Sequence, residues 1–121
     1  MTGKHEVWIA RIYDRDAKSR GVRLLIDRLW PRGIAKKEID EWIKDVAPSN
    51  ELRKWFGHDP EKWDEFRRRY RAELCENQDA VERCLEWLHK GDVTLLYGAK
   101  DKEHNQAILL RDFLLEKARQ Q

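Results

Sequence analysis

Three segments have the apolar patterns of β-strands. Glu6–Tyr13 alternates apolar and polar side chains and contains β-branched residues. Val22–Asp27 is more continuously apolar, as expected of a strand covered on both faces, and Asp92–Tyr97 is the third segment. Asp14–Gly21, the polar link between the first two, is shorter than the connection that parallel neighbours usually need. The link therefore leaves two arrangements open, an antiparallel pair or parallel strands joined by a cramped one-turn crossover.

Helical spacing characterises most of the chain between the second and third strands. Apolar residues at positions 39, 42, 43 and 46 predict a short amphipathic helix that Pro48 ends. Ser49 can cap a second short helix, which Gly57 ends. Asp59 followed by a proline is a strong signal for the start of a third helix. This segment therefore predicts consecutive helices rather than further strands.

Three apolar stripes define the remaining helices. The third helix carries Trp63, Phe66, Tyr70 and Leu74 on one face. A fourth contains Val81, Cys84, Leu85 and Leu88, and the last, with Asp101 as its expected cap, contains Ala107, Ile108, Leu110, Leu114 and Leu115. Together the elements predict a single α/β domain over 1–121. Its small central sheet would have about three strands, mostly parallel or mixed, covered by helices.

Composition and charge favour a compact domain in the cytoplasm. The chain has 121 residues, of which 40% are hydrophobic and 40% charged, and its aromatic side chains include six tryptophans. A net charge of +2 does not indicate a nucleic-acid or membrane partner. No apolar segment is as long as a membrane span, and the first residues lack the apolar core of a secretory signal. We therefore expect a cytoplasmic protein in which Cys75 and Cys84 are reduced.

Residues that can recognise an anion follow the second strand. They are Asp27, Arg28, Trp30, Arg32 and Gly33. Ligands of open α/β sheets bind beyond the carboxyl ends of the strands, where Arg28 or Arg32 can hold a carboxylate or phosphate. Trp30 can supply an aromatic wall, and Asp27 can orient an arginine or act as a base. The alternative is an ion pair that braces the loop, with Trp30 in the core and either isomer of its bond to Pro31.

A second polar cluster follows the third strand. Lys100, His104 and Asn105 lie between that strand and the last helix, whose first N–H groups favour anions. His104 can also move a proton near neutral pH. The alternative is a capped helix start with solvated side chains. Neither a dinucleotide-binding nor a P-loop glycine pattern is present.

His58 and Arg53 form a third candidate group around the second short helix. Arg53 can reach the region of His58, which can share the proton-transfer role with His104. A histidine beside a helix start is more often a local hydrogen-bonding group. The four histidines show no metal-ligand spacing, so no metal and no cofactor are expected.

Long motifs extend these observations to a known family. RLLIDRLWPRG, DEWIKDVAPSNELRKWFGHDPEKWDEFRRRYRAEL and VTLLYGAKDKEHNQAILLRDFL together resemble the YeaO-like family of bacterial and archaeal proteins, which carry a domain of unknown function. The resemblance covers about Ile12–Leu115 and implies a small cytoplasmic α/β protein. The matching positions are Asp27, Arg28, Trp30, Pro31, Arg32, Gly33, Ala47, Pro48, Ser49, Leu52, Arg53, His58, Trp63 and Asn105. The resemblance implies no catalytic role for any of them.

The main hypothesis is a small-molecule binding domain or an enzyme acting on an anionic ligand. The ligand would be phosphorylated or nucleotide-like and would bind at the carboxyl ends of the strands of a monomer or homodimer. One alternative is a protein-binding module that presents Trp42, Trp55 or Trp63 to a partner. These hypotheses differ in whether the strand-end residues meet in one pocket or the tryptophans form an exposed surface.

The other alternative is a nucleic-acid-binding module that uses the basic segment Arg67–Arg71. Successive helix positions lie about 100° apart, so these arginines cannot share one face. Asp64 can pair with Arg68, and Glu65 with Arg69, at i,i+4 spacing. A solvated helix with internal ion pairs is therefore favoured over a nucleic-acid surface.

Overall fold

A parallel sheet of four strands forms the centre of the molecule. The computed structural model describes residues 5–14, 17 and 19–120. The strands are β1 (Val7–Arg11), β2 (Val22–Leu25), β3 (Glu41–Trp42) and β4 (Val93–Tyr97). Their spatial order is β1-β4-β2-β3, and each neighbouring pair runs parallel. The predicted α/β class is therefore confirmed, with one strand more than expected.

The order of the strands decides the arrangement of the first two. β4 lies between β1 and β2, so that Val93 is opposite Val7 on one side and Val22 on the other. Antiparallel pairing of β1 with β2 is therefore wrong, because both strands are parallel to β4. The predicted link, Asp14–Gly21, includes residues outside those that the structure describes.

β3 and its flanks replace the amphipathic helix that positions 39–46 predicted. The segment consists of 3₁₀ turns at Lys36–Glu38 and Lys44–Val46 on either side of β3. The Asp40 N–H donates to the Arg23 carbonyl at 2.8 Å, and the Ile43 N–H donates to the Leu25 carbonyl at 2.9 Å. The open edge of β2 offers backbone hydrogen bonds that satisfy this segment without a helix.

The four α-helices begin and end close to the expected signals. They are α1 (Asn50–Phe56), α2 (Trp63–Glu76), α3 (Gln78–Lys90) and α4 (Gln106–Arg119). The Ser49 hydroxyl caps α1 by accepting the Leu52 N–H, as expected. Asn105, and not Asp101, caps α4 by accepting the Ile108 N–H. Asp101 instead accepts the N–H groups of Glu103 and His104, one turn earlier.

The two faces of the sheet are covered differently. Leu24 and Leu95 belong to a large apolar cluster that includes buried residues of all four helices. Leu25 and Leu96 face a smaller cluster, to which Trp30 and its neighbours contribute. The helices therefore cover one face, and the irregular segment after β2 covers the other. Both leucines of β2 are fully buried, which confirms the expectation of a strand covered on both faces.

The buried hydroxyl of Tyr70 should make a measurable contribution to the stability of the fold. It donates to the Val46 carbonyl at 2.7 Å, and the side chain is only 1% exposed. Tyr70→Phe should lower the free energy of unfolding by about 1–2 kcal/mol, because it leaves a buried carbonyl without its donor. Tyr13→Phe is the matched control, since its hydroxyl donates to the Arg32 carbonyl at the surface. Equal effects of both variants in urea unfolding would contradict this prediction.

Candidate functional site

A cavity of about 280 Å³ opens at the carboxyl ends of β2 and β4. Asp27 reaches it from the end of β2, and Gly98 follows β4 directly. The remaining lining residues are Arg28, Leu29, Ala47, Pro48, Arg53, Phe56, His58, Phe66, Ala99, His104 and Gln106. The cavity thus occupies the edge of the sheet at which open α/β proteins bind ligands.

Asp27 is a largely buried carboxyl group in this cavity. The Gly98 N–H donates to its Oδ2 at 2.8 Å, and the Gln106 side-chain amide donates to its Oδ1. Burial raises the pKa of Asp27 to about 6, although these two donors and the nearby Arg53 and His58 favour the ionised form. Asp27 therefore changes charge close to neutral pH.

Gly98 gives the Asp27 carboxylate the space that it occupies. A Cβ atom at position 98 would lie 3.1 Å from Asp27 Oδ2. That distance is shorter than ordinary van der Waals contact, so a side chain here would displace the carboxylate. The glycine therefore allows the backbone after β4 to approach Asp27 closely enough to donate its N–H.

Arg28 is held in place by backbone carbonyls. Its Nε donates to the Pro48 carbonyl and its Nη2 to the Ala47 carbonyl, both at 3.2 Å. A guanidinium group has five N–H donors, so these two bonds leave others for a ligand. The contacts explain why an arginine follows Asp27: it connects the end of β2 to the segment before α1 and brings positive charge to the cavity wall.

Arg53 and His58 approach the cavity from α1 and the turn that follows it. Gly57 ends α1 with a φ of 54°, and His58 continues in the left-handed region with a φ of 59°. His58 is the one non-glycine residue with this conformation in the described part of the chain. A left-handed conformation costs about 1 kcal/mol or more for a side chain with a Cβ, and such strain is concentrated at functional sites. Both side chains are exposed at the rim.

His104 has its imidazole ring fixed by Asp101. Its Nδ1 lies 3.0 Å from Asp101 Oδ2, and the Trp63 ring makes an edge contact with the imidazole. The Glu103 N–H, together with the side chain and N–H of His104, holds the pKa of Asp101 below its usual value. Asp101 is therefore an acceptor, which leaves Nε2 of His104 free of this bond.

The apolar wall consists of aromatic rings that the sequence assigned to the core. Phe56 and Phe66 stack with their ring centroids 4.2 Å apart, and both line the cavity. The sequence did not identify Gln106 as a lining residue either. It directly follows the cap of α4, where a polar side chain has no distinguishing sequence signal. The strand-end rule locates Asp27 and His104, whereas these three residues reach the cavity only through helix packing.

Two of the seven predicted ligand-binding residues line the cavity, and five do not. Arg28 and Arg53 line the cavity, while Trp30, Arg32, Gly33, Lys100 and Asn105 do not. Trp30 packs on the far face of the sheet and donates to the Ile34 carbonyl at 2.8 Å. The Trp30–Pro31 bond is trans, since no cis peptide bond occurs among the described residues.

The other four predicted residues after the strands lie outside the cavity wall. Arg32 and Lys100 are exposed, and Gly33 forms a turn with a φ of 79°. Asn105 is 2% exposed and donates to the Asp101 carbonyl at 3.0 Å, in addition to capping α4. Asn105 therefore holds the loop that carries His104.

The arginines of α2 form ion pairs along the helix. Glu65 pairs with both Arg68 and Arg69, which confirms the second of the two expected pairs. Asp64 pairs with Arg67 rather than with Arg68, so that the first expected pair is wrong. Arg68 is closer to Glu65 because one turn of helix places i,i+3 neighbours on the same side.

Metal binding, membrane insertion and tryptophan exposure concern the part of the chain that the structure describes. There, no group of three or more His, Cys, Asp or Glu side chains is arranged to hold a metal ion. None of the described helices has the length and apolar character needed to cross a membrane. The large apolar side chains exposed among the described residues are Tyr13 and Leu29. Trp42, Trp55 and Trp63 are half-buried.

The chain belongs to a family described as the inactive DUF488-N3 subclade, whose model matches residues 6–121. Uncharacterized protein YeaO from Escherichia coli K12 is 43% identical over 106 residues, which are 86% of this chain and 92% of that protein. This confirms the YeaO-like resemblance. Uncharacterized protein Mb3100c from Mycobacterium bovis and Uncharacterized protein Rv3073c from Mycobacterium tuberculosis are each 44% identical over 84 residues, 68% of this chain and 71% of each relative. No solved structure matches the chain.

Proposed function

We propose that this protein binds an anionic small molecule, phosphorylated or nucleotide-like, in the cavity at the carboxyl ends of β2 and β4. The observation that carries the proposal is the convergence of Arg28, Arg53, His58 and His104 on one cavity from three separate segments of the chain. Against them the lining contains a single carboxylate, that of Asp27. The cavity is therefore positively charged at neutral pH even with both histidines neutral.

The chemistry of the lining also supports an organic ligand over a bare ion. The stacked Phe56 and Phe66 rings, with Pro48 and Leu29, provide an apolar surface next to the basic side chains. Ligand sites in proteins commonly combine an apolar wall with a few orienting polar groups. A molecule with a flat apolar body and one anionic group complements both parts.

Binding without turnover is favoured over catalysis. The family to which the chain belongs is described as inactive. Asp27, His58 and His104 were predicted as proton-transfer groups, and we assign them to ligand binding instead. The ion pairs of the α2 arginines leave fewer free cations for a nucleic acid, which also favours the small-molecule proposal.

Phenyl phosphate tests this function because it combines a flat ring with a phosphate group. Isothermal titration calorimetry at pH 7.5 should detect binding that weakens about tenfold in Arg53→Gln, since the variant lacks one charge at the rim. Arg111→Gln is the matched control, because Arg111 lies on α4, pairs with Asp112 and does not line the cavity. No binding of phenyl phosphate, or equal affinities in both variants, would overturn the proposal.

A further inference from the structure

The inner end of the cavity offers hydrogen-bond acceptors. Each Asp27 oxygen already accepts one bond, from Gly98 or from Gln106, and each keeps a second lone pair. Gln106 uses its amide nitrogen on Asp27, so its amide oxygen remains an acceptor. Both side chains are partly buried, whereas Arg53 and His58 are exposed at the rim. The acceptors therefore lie inside, where Arg28 has two of its donors bonded to backbone carbonyls, and the two exposed cationic side chains lie at the rim.

This arrangement determines the orientation in which an anionic ligand can bind. An anion placed next to Asp27 would meet a second negative charge, and the Gly98 N–H there is already used. The same anion at the rim meets Arg53 and His58, which reach solvent and can adapt to it. The inner part of the ligand must then satisfy Asp27 with a donor of its own, because a buried carboxylate left without partners is costly.

We propose that the ligand is a planar molecule with an N–H donor, such as an amine or amide, at the inner end against Asp27 and its anionic group at the rim against Arg53 and His58. This inference rests on the proposed function and adds the chemistry of the other end of the ligand. The Phe66 ring and Pro48 also line the cavity, and their apolar surface suits a flat ring.

Two phosphates of nearly equal shape test the inference. 4-Aminophenyl phosphate has an N–H donor where 4-methylphenyl phosphate has a methyl group, and their rings and anions are the same. At pH 7.5 the amino compound should bind at least about tenfold more tightly, since a hydrogen bond to a charged acceptor adds that much affinity. Equal affinities in the unmodified protein would overturn the inference.

Two variants test whether Asp27 itself is responsible for the preference for the amino compound. In Asp27→Asn the two compounds should differ by no more than about twofold, because the side chain keeps its shape and loses the charged acceptor. In Asp112→Asn, an exposed substitution on α4 outside the lining, the tenfold preference should remain. A preference that persists in Asp27→Asn would overturn the role of Asp27.

The outcomes also separate this inference from the proposed function. If both compounds bind equally and both weaken in Arg53→Gln, anion binding stands and the donor at the inner end is wrong. If neither compound binds, the proposed function and this inference are both wrong.

Discussion

Asp27→Asn should stabilise the protein by about 2 kcal/mol at pH 7.5 and have almost no effect at pH 4. Burial raises the pKa of Asp27 from 3.8 to about 6, so the folded protein holds this proton more tightly than the unfolded chain does. The contribution to stability is complete below pH 3.8 and is lost as the pH rises through about 6. The difference between the two pKa values corresponds to about 3 kcal/mol.

Asparagine removes the charge and keeps the shape of the side chain. Its amide oxygen can still accept the Gly98 N–H, and its amide nitrogen can donate to Gln106 if that side chain turns over. Some geometry is lost, which is why we expect about 2 rather than 3 kcal/mol. A stabilising substitution is unusual in a core, but functional sites commonly hold groups at a cost in stability.

Urea unfolding at several pH values measures this effect. The free energy of unfolding of Asp27→Asn should exceed that of the unmodified protein at pH 7.5, and the two curves should meet near pH 4. Asp112→Asn, whose side chain is 63% exposed, should follow the unmodified protein throughout. A destabilised Asp27→Asn variant at pH 7.5 would show that the ionised carboxylate supports the fold.

Sulfate should bind about fivefold more tightly at pH 5 than at pH 7.5 if the cavity takes anions as proposed. Sulfate keeps its charge over this range, so that the change reports on the protein. Asp27 loses its negative charge as the pH falls through about 6.

The magnitude follows from the number of charges that change. A unit charge near the ligand is worth about 1 kcal/mol in surroundings between protein and water, so the loss of the one negative charge on Asp27 gives about fivefold in affinity. Arg28 and Arg53 also face the ligand but stay charged at both pH values. Titrations at constant ionic strength keep screening equal.

Asp27→Asn isolates the contribution of the carboxylate to this effect. The variant should bind sulfate several-fold more tightly than the unmodified protein at pH 7.5. An affinity for sulfate that does not change with pH would contradict the proposed arrangement of charges.

The sequence by itself determined the class of the fold and the region of the candidate site. Alternating and continuous apolar runs predicted three of the four strands, because burial of alternate or of all side chains leaves a local signature. Ser49 and Gly57 correctly marked the ends of α1, since capping is a contact between neighbours. Asp27 was a candidate because it lies at the end of the second predicted strand.

Tertiary structure decided the strand order and the conformation of positions 39–46. Those apolar residues have helical spacing, yet the open edge of β2 supplied hydrogen bonds that made Glu41–Trp42 a strand. The insertion of β4 between β1 and β2 likewise depends on packing over long chain separations. Local patterns contain neither kind of information.

Packing also decided which strand-end residues meet. Arg32 and Lys100 follow the strands as closely as His104 does, but their loops direct them to solvent. Phe66 and Gln106 enter the cavity because α2 and α4 lie across the strand ends, and the raised pKa of Asp27 follows from that burial. Residue type and order along the chain can therefore indicate a candidate site. The residues that bury it and set its electrostatic environment come from distant segments.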